Sequence, residues 1–179
     1  MRAYIAVDLE EEEIKKKIER LQEELEASGA IMKLVEPRNF HVTLKFLGEI
    51  DDSLVERIKE KLESLEASSF YAPLIGLGAF PHPSRPRVVF IDIPSQELST
   101  LMEEIDRAMH SLGFELERRG YKPHLTIARV KAQGYRLKNL LRKYERYDFG
   151  VMSVKEIRLK KSTLTPEGPI YETLFSRKL

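Results

Sequence analysis

The chain has 179 residues, 42% of them hydrophobic and 33% charged, enough apolar material for the core of one domain or of two small lobes. Cysteine is absent, which excludes disulfides, thiolate nucleophiles and most structural zinc sites, so any metal would have to rest on histidine and carboxylate. The net charge of +1 conceals an asymmetry: residues 1–114 carry 14 basic and 22 acidic side chains, whereas residues 115–163 carry 14 and 5, an excess that attracts a polyanion if it shares a face and is otherwise solvated surface.

The first predicted element is a strand over residues 4–9, with no cleavage-site pattern before it. No apolar run approaches the roughly 20 residues of a membrane span, so a cytoplasmic location and no membrane partner are expected. Ile14, Ile18, Leu21 and Leu25 lie at helical spacing within 11–27, and Gly29 stops that helix. A short strand over 31–35 leads through Pro37 into FHVTLKFLG. A second helix follows, with Asp51, Asp52 or Ser53 as its cap and Leu54, Val55, Ile58, Leu62 and Leu65 on its stripe. Residues 70–92 resemble a hairpin, with Gly76, Gly78, Pro81, Pro83 and Pro86 at turns or bends and VVFIDI as a strand.

The order then recurs. A helix over 96–111 carries Leu98, Leu101, Ile105, Ala108 and Leu112, and Gly113 stops it. A short strand over 114–117, HLTIARV after Pro123, and a fourth helix over 137–144 complete the second unit. Strands near 151–163 and 170–177 finish the sheets. Asp8 lies 33 residues before His41 and Asp92 lies 32 before His124, so the repeat, about 1–68 and 86–146, extends well beyond a matching tetrapeptide. The expected fold is α+β: two pseudo-twofold-related lobes of mainly antiparallel sheet with outer helices, flanking a central cleft, in a single bilobal domain over 1–179.

HVTL at 41–44 and HLTI at 124–127 sit in alternating apolar segments, so each histidine shares a face with its threonine. Val42, Leu44, Phe46, Leu125 and Ile127 are assigned to the core. Two such strands about a twofold axis aim two imidazoles and two hydroxyls into one cleft. Breaking a P–O bond needs a proton for the leaving oxygen and a base for the attacking one, and histidine can serve as either near neutrality. The hydroxyls of Thr43 and Thr126 can donate to non-bridging oxygens. A lone His-x-Thr is usually packing. Two at equivalent places in a repeat, among four histidines in all, point to chemistry, while His82 and His110 have no counterpart.

NFHVTLKFLGE and KPHLTIARV resemble the paired motifs of the two-histidine phosphoesterases, and specifically the bacterial and archaeal RNA 2′,3′-cyclic phosphodiesterases, also called 2′–5′ RNA ligases. The resemblance runs from RAYIAVDL to the final strands. It implies a metal-independent, cofactor-free monomer that opens RNA 2′,3′-cyclic phosphate ends, tRNA fragments among them, to 2′-phosphomonoesters and can run in reverse as a ligase. It implies His41 as proton donor, His124 as acceptor, Thr43 and Thr126 on the phosphate, and Arg129 as a phosphate neutraliser. Strict alternation places Arg129 on the face opposite His124, so that role requires a bulge. Pseudo-symmetry would let the substrate bind turned around, and unlike surroundings, such as Lys45 against Ala128, must break the tie. Two alternatives remain: a non-catalytic binder of such ends, and a metal hydrolase, which the absence of His-x-His, His-x-x-x-His or an acidic residue in either motif disfavours. The scarcity of Gln and Asn, three and two, beside abundant Lys, Arg and Glu resembles proteins of hot environments.

Overall fold

Alternation decides which way the first strand faces. In the computed structural model, which describes residues 1–179, β1 (Arg2–Asp8) sends Ala3, Ile5 and Val7 into the core and Tyr4, Ala6 and Asp8 to the opposite face. The helix α1 (Glu12–Glu26) turns Ile14, Ile18, Leu21 and Leu25 inward on one stripe, and Gly29 beyond it takes a φ of 83°. There follow β2 (Ile31–Leu34), a 3₁₀ turn at Pro37–Asn39, β3 (His41–Glu49) and α2 (Asp52–Glu63). Next come β4 (Phe70–Ile75), β5 (Leu77–His82), β6 (Arg85–Asp92) and α3 (Gln96–His110). The chain closes with β7 (His124–Ala132), α4 (Leu137–Lys143), β8 (Asp148–Val154), β9 (Glu156–Thr165) and β10 (Gly168–Lys178).

The main sheet has the order β10-β9-β1-β3-β7-β6-β5, with β2 added to β7, and β4 pairs with β8 in a separate ribbon. Every pairing is antiparallel. The repeat is visible in the register. Asp8 lies opposite His41 where β1 meets β3, and Asp92 lies opposite His124 where β6 meets β7. The two halves join where β3 and β7 touch, with Val42 opposite Leu125, and then diverge. A single cluster of 38 buried apolar residues runs beneath both halves.

Three expectations need correction. Residues 114–117 form no strand, because Lys45 Nζ holds the Glu115 carbonyl at 2.6 Å and Asp106 accepts from the Glu117 N–H at 2.9 Å. Those bonds take up backbone groups that a strand would offer to β3, and a groove of about 650 Å³ remains between residues 45–49 and 113–119. The expected hairpin is only β5–β6, since β4 crosses to β8. The strand expected over 151–163 is two, β8 and β9, which belong to different sheets.

Candidate active site

With Val42 opposite Leu125, antiparallel pairing sets His41 across from Thr126 and Thr43 across from His124, all four on the face away from the core. The two histidines are then diagonal neighbours, which in a regular ladder stand about 7–8 Å apart at Cα. Both imidazoles are half-buried. The His41 Nδ1 lies 2.7 Å from the Asn39 carbonyl, and the His124 Nδ1 lies 2.8 Å from the Lys122 carbonyl. A carbonyl only accepts, so each Nδ1 must carry hydrogen and each Nε2 is left free for a substrate. The same bond, two residues back in each repeat, orients both rings.

Aromatic rings hold them sideways. Tyr4 and Tyr171 lie 5.3 and 5.9 Å from the His41 ring, and Phe80 and Phe90 lie 5.1 and 5.3 Å from that of His124. Burial pushes the His41 pKa below its ordinary value. The Asn39 carbonyl opposes that shift, the Lys160 ammonium adds to it, the Asp8 carboxylate opposes it and the Arg129 guanidinium adds to it. Burial likewise lowers His124, opposed by the Lys122 carbonyl, helped by the Lys122 ammonium and opposed by Asp92. Tyr4 is 4% exposed, its hydroxyl has no hydrogen-bond partner, and burial raises its pKa so that it stays a phenol.

Two matched bulges reset the strands just past the motifs. Thr43 and Lys45 face the consecutive residues Ala6 and Ile5, which leaves Leu44 as the extra residue; Thr126 and Ala128 face Phe90 and Val89, which leaves Ile127. Parity inverts beyond each one. Core positions in β7 therefore run Leu125, Ile127, Ala128, Val130, and Arg129 falls on the same face as His124 and Thr126, close enough to His41 and Tyr171 to perturb both. The Ile127 carbonyl is taken by the Val35 N–H at 3.0 Å and by the buried Gln22 amide at 3.0 Å, so α1 pins the bulge.

The Leu44 bulge overturns two assignments. Phe46 is not core but 70% exposed, with its ring 6.4 Å from Tyr4. Lys45 turns from the motif face to the helices, where it pairs with Asp106 at 2.6 Å and cannot break the symmetry of the cleft. Asp8 and Asp92 do break it. Asp8 accepts from Lys160 at 2.5 Å and Arg158 at 2.6 Å, whereas Asp92 accepts from the Ile93 N–H at 3.0 Å. The repeat spacing marked both aspartates, but no local signal marked Lys160, Tyr171 or Gln22. Lys122, Arg129 and Lys160 of the basic stretch lie near the histidines and Arg158 is held on Asp8, whereas Lys143 pairs elsewhere with Glu24 and Lys155 shares Glu10 with Arg158. No group of three or more His, Cys, Asp or Glu side chains converges as a metal-holding cluster, and no helix is long and apolar enough to cross a membrane.

Comparison with known proteins agrees with the repeat. The family described as LigT like phosphoesterase matches twice, over residues 7–90 and 91–171. An RNA 2′,3′-cyclic phosphodiesterase of Archaeoglobus fulgidus is 39% identical over 175 residues, spanning 97% of this chain and 98% of its own. That of Methanocaldococcus jannaschii is 42% identical over 177 residues, spanning 97% and 98%. A crystal structure from Thermus thermophilus superposes with a TM-score of 0.84 at 30% identity over 100% of this chain and 98% of that one. Escherichia coli LigT complexed with 3′-AMP shares the fold, with a TM-score of 0.78 at 22% identity over 99% and 96%. Relatives from thermophiles fit the Gln- and Asn-poor composition. Matched in both repeats and along nearly its whole length, the chain belongs to the LigT-like phosphoesterase family.

Proposed function

We propose that the protein hydrolyses RNA 2′,3′-cyclic phosphate ends, tRNA fragments among them, to 2′-phosphomonoesters without a metal. One observation carries this reading: His41, Thr43, His124 and Thr126 share one face at the junction of the repeats, with both Nε2 atoms unengaged. The names of relatives 39% and 42% identical across 97% of the chain support the substrate class.

In the reaction, a water oxygen bonds to phosphorus as the P–O3′ bond breaks. His124 Nε2 takes a proton from the water, and His41, protonated at Nε2, gives one to O3′. The Thr43 and Thr126 hydroxyls donate to the non-bridging oxygens, where charge accumulates, and Arg129 neutralises it. A 5′-hydroxyl in place of water runs the same displacement as ligation and builds a 2′–5′ linkage. The cycle needs no cofactor or second subunit.

The test is a short RNA with a defined cyclic end, incubated with and without chelator, its product read by phosphorus NMR. The expected product is a 2′-phosphate with a free 3′-hydroxyl, formed equally fast with chelator. Tight binding without turnover would make the protein a binder of such ends, and rescue by zinc after stripping would make it a metal hydrolase.

A further inference from the structure

The catalytic quartet is nearly symmetric, and a phosphate with two equivalent non-bridging oxygens cannot tell one end of it from the other. The flanking strands can. β9 lies against the outer edge of β1, as β5 lies against the outer edge of β6. Lys160 faces Tyr4, four residues before Asp8, and Phe80 faces Val88, four residues before Asp92. Arg158 faces Ala6, and Gly78 faces Phe90 in the same relation. The register thus makes Lys160 the counterpart of Phe80, and Arg158 the counterpart of Gly78.

These counterparts are chemically opposite. Lys160 is 8% exposed and its ammonium is tied to Asp8, which Arg158 also holds. Phe80 stacks on Phe90 at 4.2 Å and meets His124 edge-on, with the Lys122 ammonium 5.3 Å from its ring centre. Gly78 makes room for that wall, since a Cβ there would lie 2.6 Å from the Phe90 ring. A nucleoside face packs well against two phenyl rings. Against a fixed ion pair it would desolvate charge without replacing the lost water.

We propose that Lys160 and Phe80 are the specificity-determining pair that fixes which way round the ribose cyclic phosphate lies, and so which ribose oxygen leaves. The inference rests on the cyclic phosphodiesterase reading above. In one orientation water adds to phosphorus, P–O3′ breaks, His124 takes the water proton and His41 gives one to O3′. In the other, P–O2′ breaks, His41 takes the proton and His124 gives one to O2′. Atoms and protons balance in both, so the proton transfers alone do not choose between them, and the unlike flanks can.

The experiment measures the ratio of 2′- to 3′-phosphate formed from adenosine 2′,3′-cyclic phosphate by the wild-type, Lys160→Met and Phe80→Leu proteins, using phosphorus NMR. The wild type should give one isomer predominantly, and each variant should raise the minor isomer about tenfold or more. Lys160→Met strips Asp8 of a partner and can unfold; Phe80→Leu leaves that ion pair intact and keeps the question answerable. A purely structural defect slows both isomers alike. Turnover by a folded variant with the wild-type ratio unchanged overturns the inference alone, whereas a wild-type protein that opens no cyclic phosphate overturns the phosphodiesterase reading and this one with it.

Discussion

Each histidine is held by a carbonyl two residues earlier and by two aromatic rings, and both are held below their ordinary pKa. A histidine depressed in the folded state contributes stability that is complete above its ordinary value of about 6.5 and lost as pH falls through the folded value. The proposed mechanism has a different requirement, since in it one imidazole must carry a proton while the other does not. That singly protonated pair is most populated between two depressed values, so kcat/KM for the cyclic mononucleotide should follow a bell with its maximum on the acid side of about 6.5. Activity should decline as pH rises beyond it. The groups facing His41 are Tyr4 and Asp8 from β1, Arg129 from β7, Lys160 from β9 and Tyr171 from β10, with Arg158 of β9 paired to Asp8; Asp92 and Lys122 face His124. A profile still rising at alkaline pH would show that neither histidine is the acid. Thr43→Ala and Thr126→Ala should each slow turnover by less than loss of either histidine, because a hydroxyl stabilises charge but moves no proton.

Among the elements, the two bulges decide how much of the site could be read in advance. The His-x-Thr faces were legible because alternation is strict up to Leu44 and Ile127. Past those residues it inverts, so Phe46 and Lys45 exchange sides and Arg129 comes to the histidine face. A bulge is a pairing property of two strands, and neither strand's composition declares it. Gln22 is the part of α1 that holds the β7 bulge, with its amide on the carbonyls of Val35 at 2.8 Å and Ile127 at 3.0 Å. Gln22→Leu keeps the size but removes both bonds inside the core, at a cost of about 1–3 kcal/mol. Thermal unfolding should fall by several degrees, and the Michaelis constant should rise as Arg129 loses its placement. An unchanged melting temperature would mean that the bulge stands without that support.

At the scale of the whole molecule, the repeat and its helices were legible from periodicity, but the closing of the sheets was not. β9 and β10, from the end of the chain, complete the sheet of the first repeat, and β8 pairs with β4 across 73 or more positions of sequence. Asp8 meets Lys160 at a separation of 152 residues, which no local pattern reports. We propose that the halves are consequently one folding unit. The full chain should unfold in a single cooperative transition, and a fragment ending near residue 146 should not fold, having lost β8, β9 and β10. Two separated transitions would contradict this. If Lys122, Arg129 and the neighbouring basic groups extend the site into an RNA path, binding of longer RNA should weaken steeply with salt while turnover of a cyclic mononucleotide changes little. Equal salt dependence would return those charges to ordinary surface.

The pairing of two histidines as acid and base is tested most directly by single-turnover rates of His41→Ala, His124→Ala and the double variant on a cyclic-ended RNA, each checked for native melting. Each single variant should lose about 10²–10⁴-fold, and the double should lose far less than the product of the two, since the residues act on one transition state. A folded single variant that keeps more than roughly a tenth of the wild-type rate would remove that histidine from the chemistry and the paired mechanism with it.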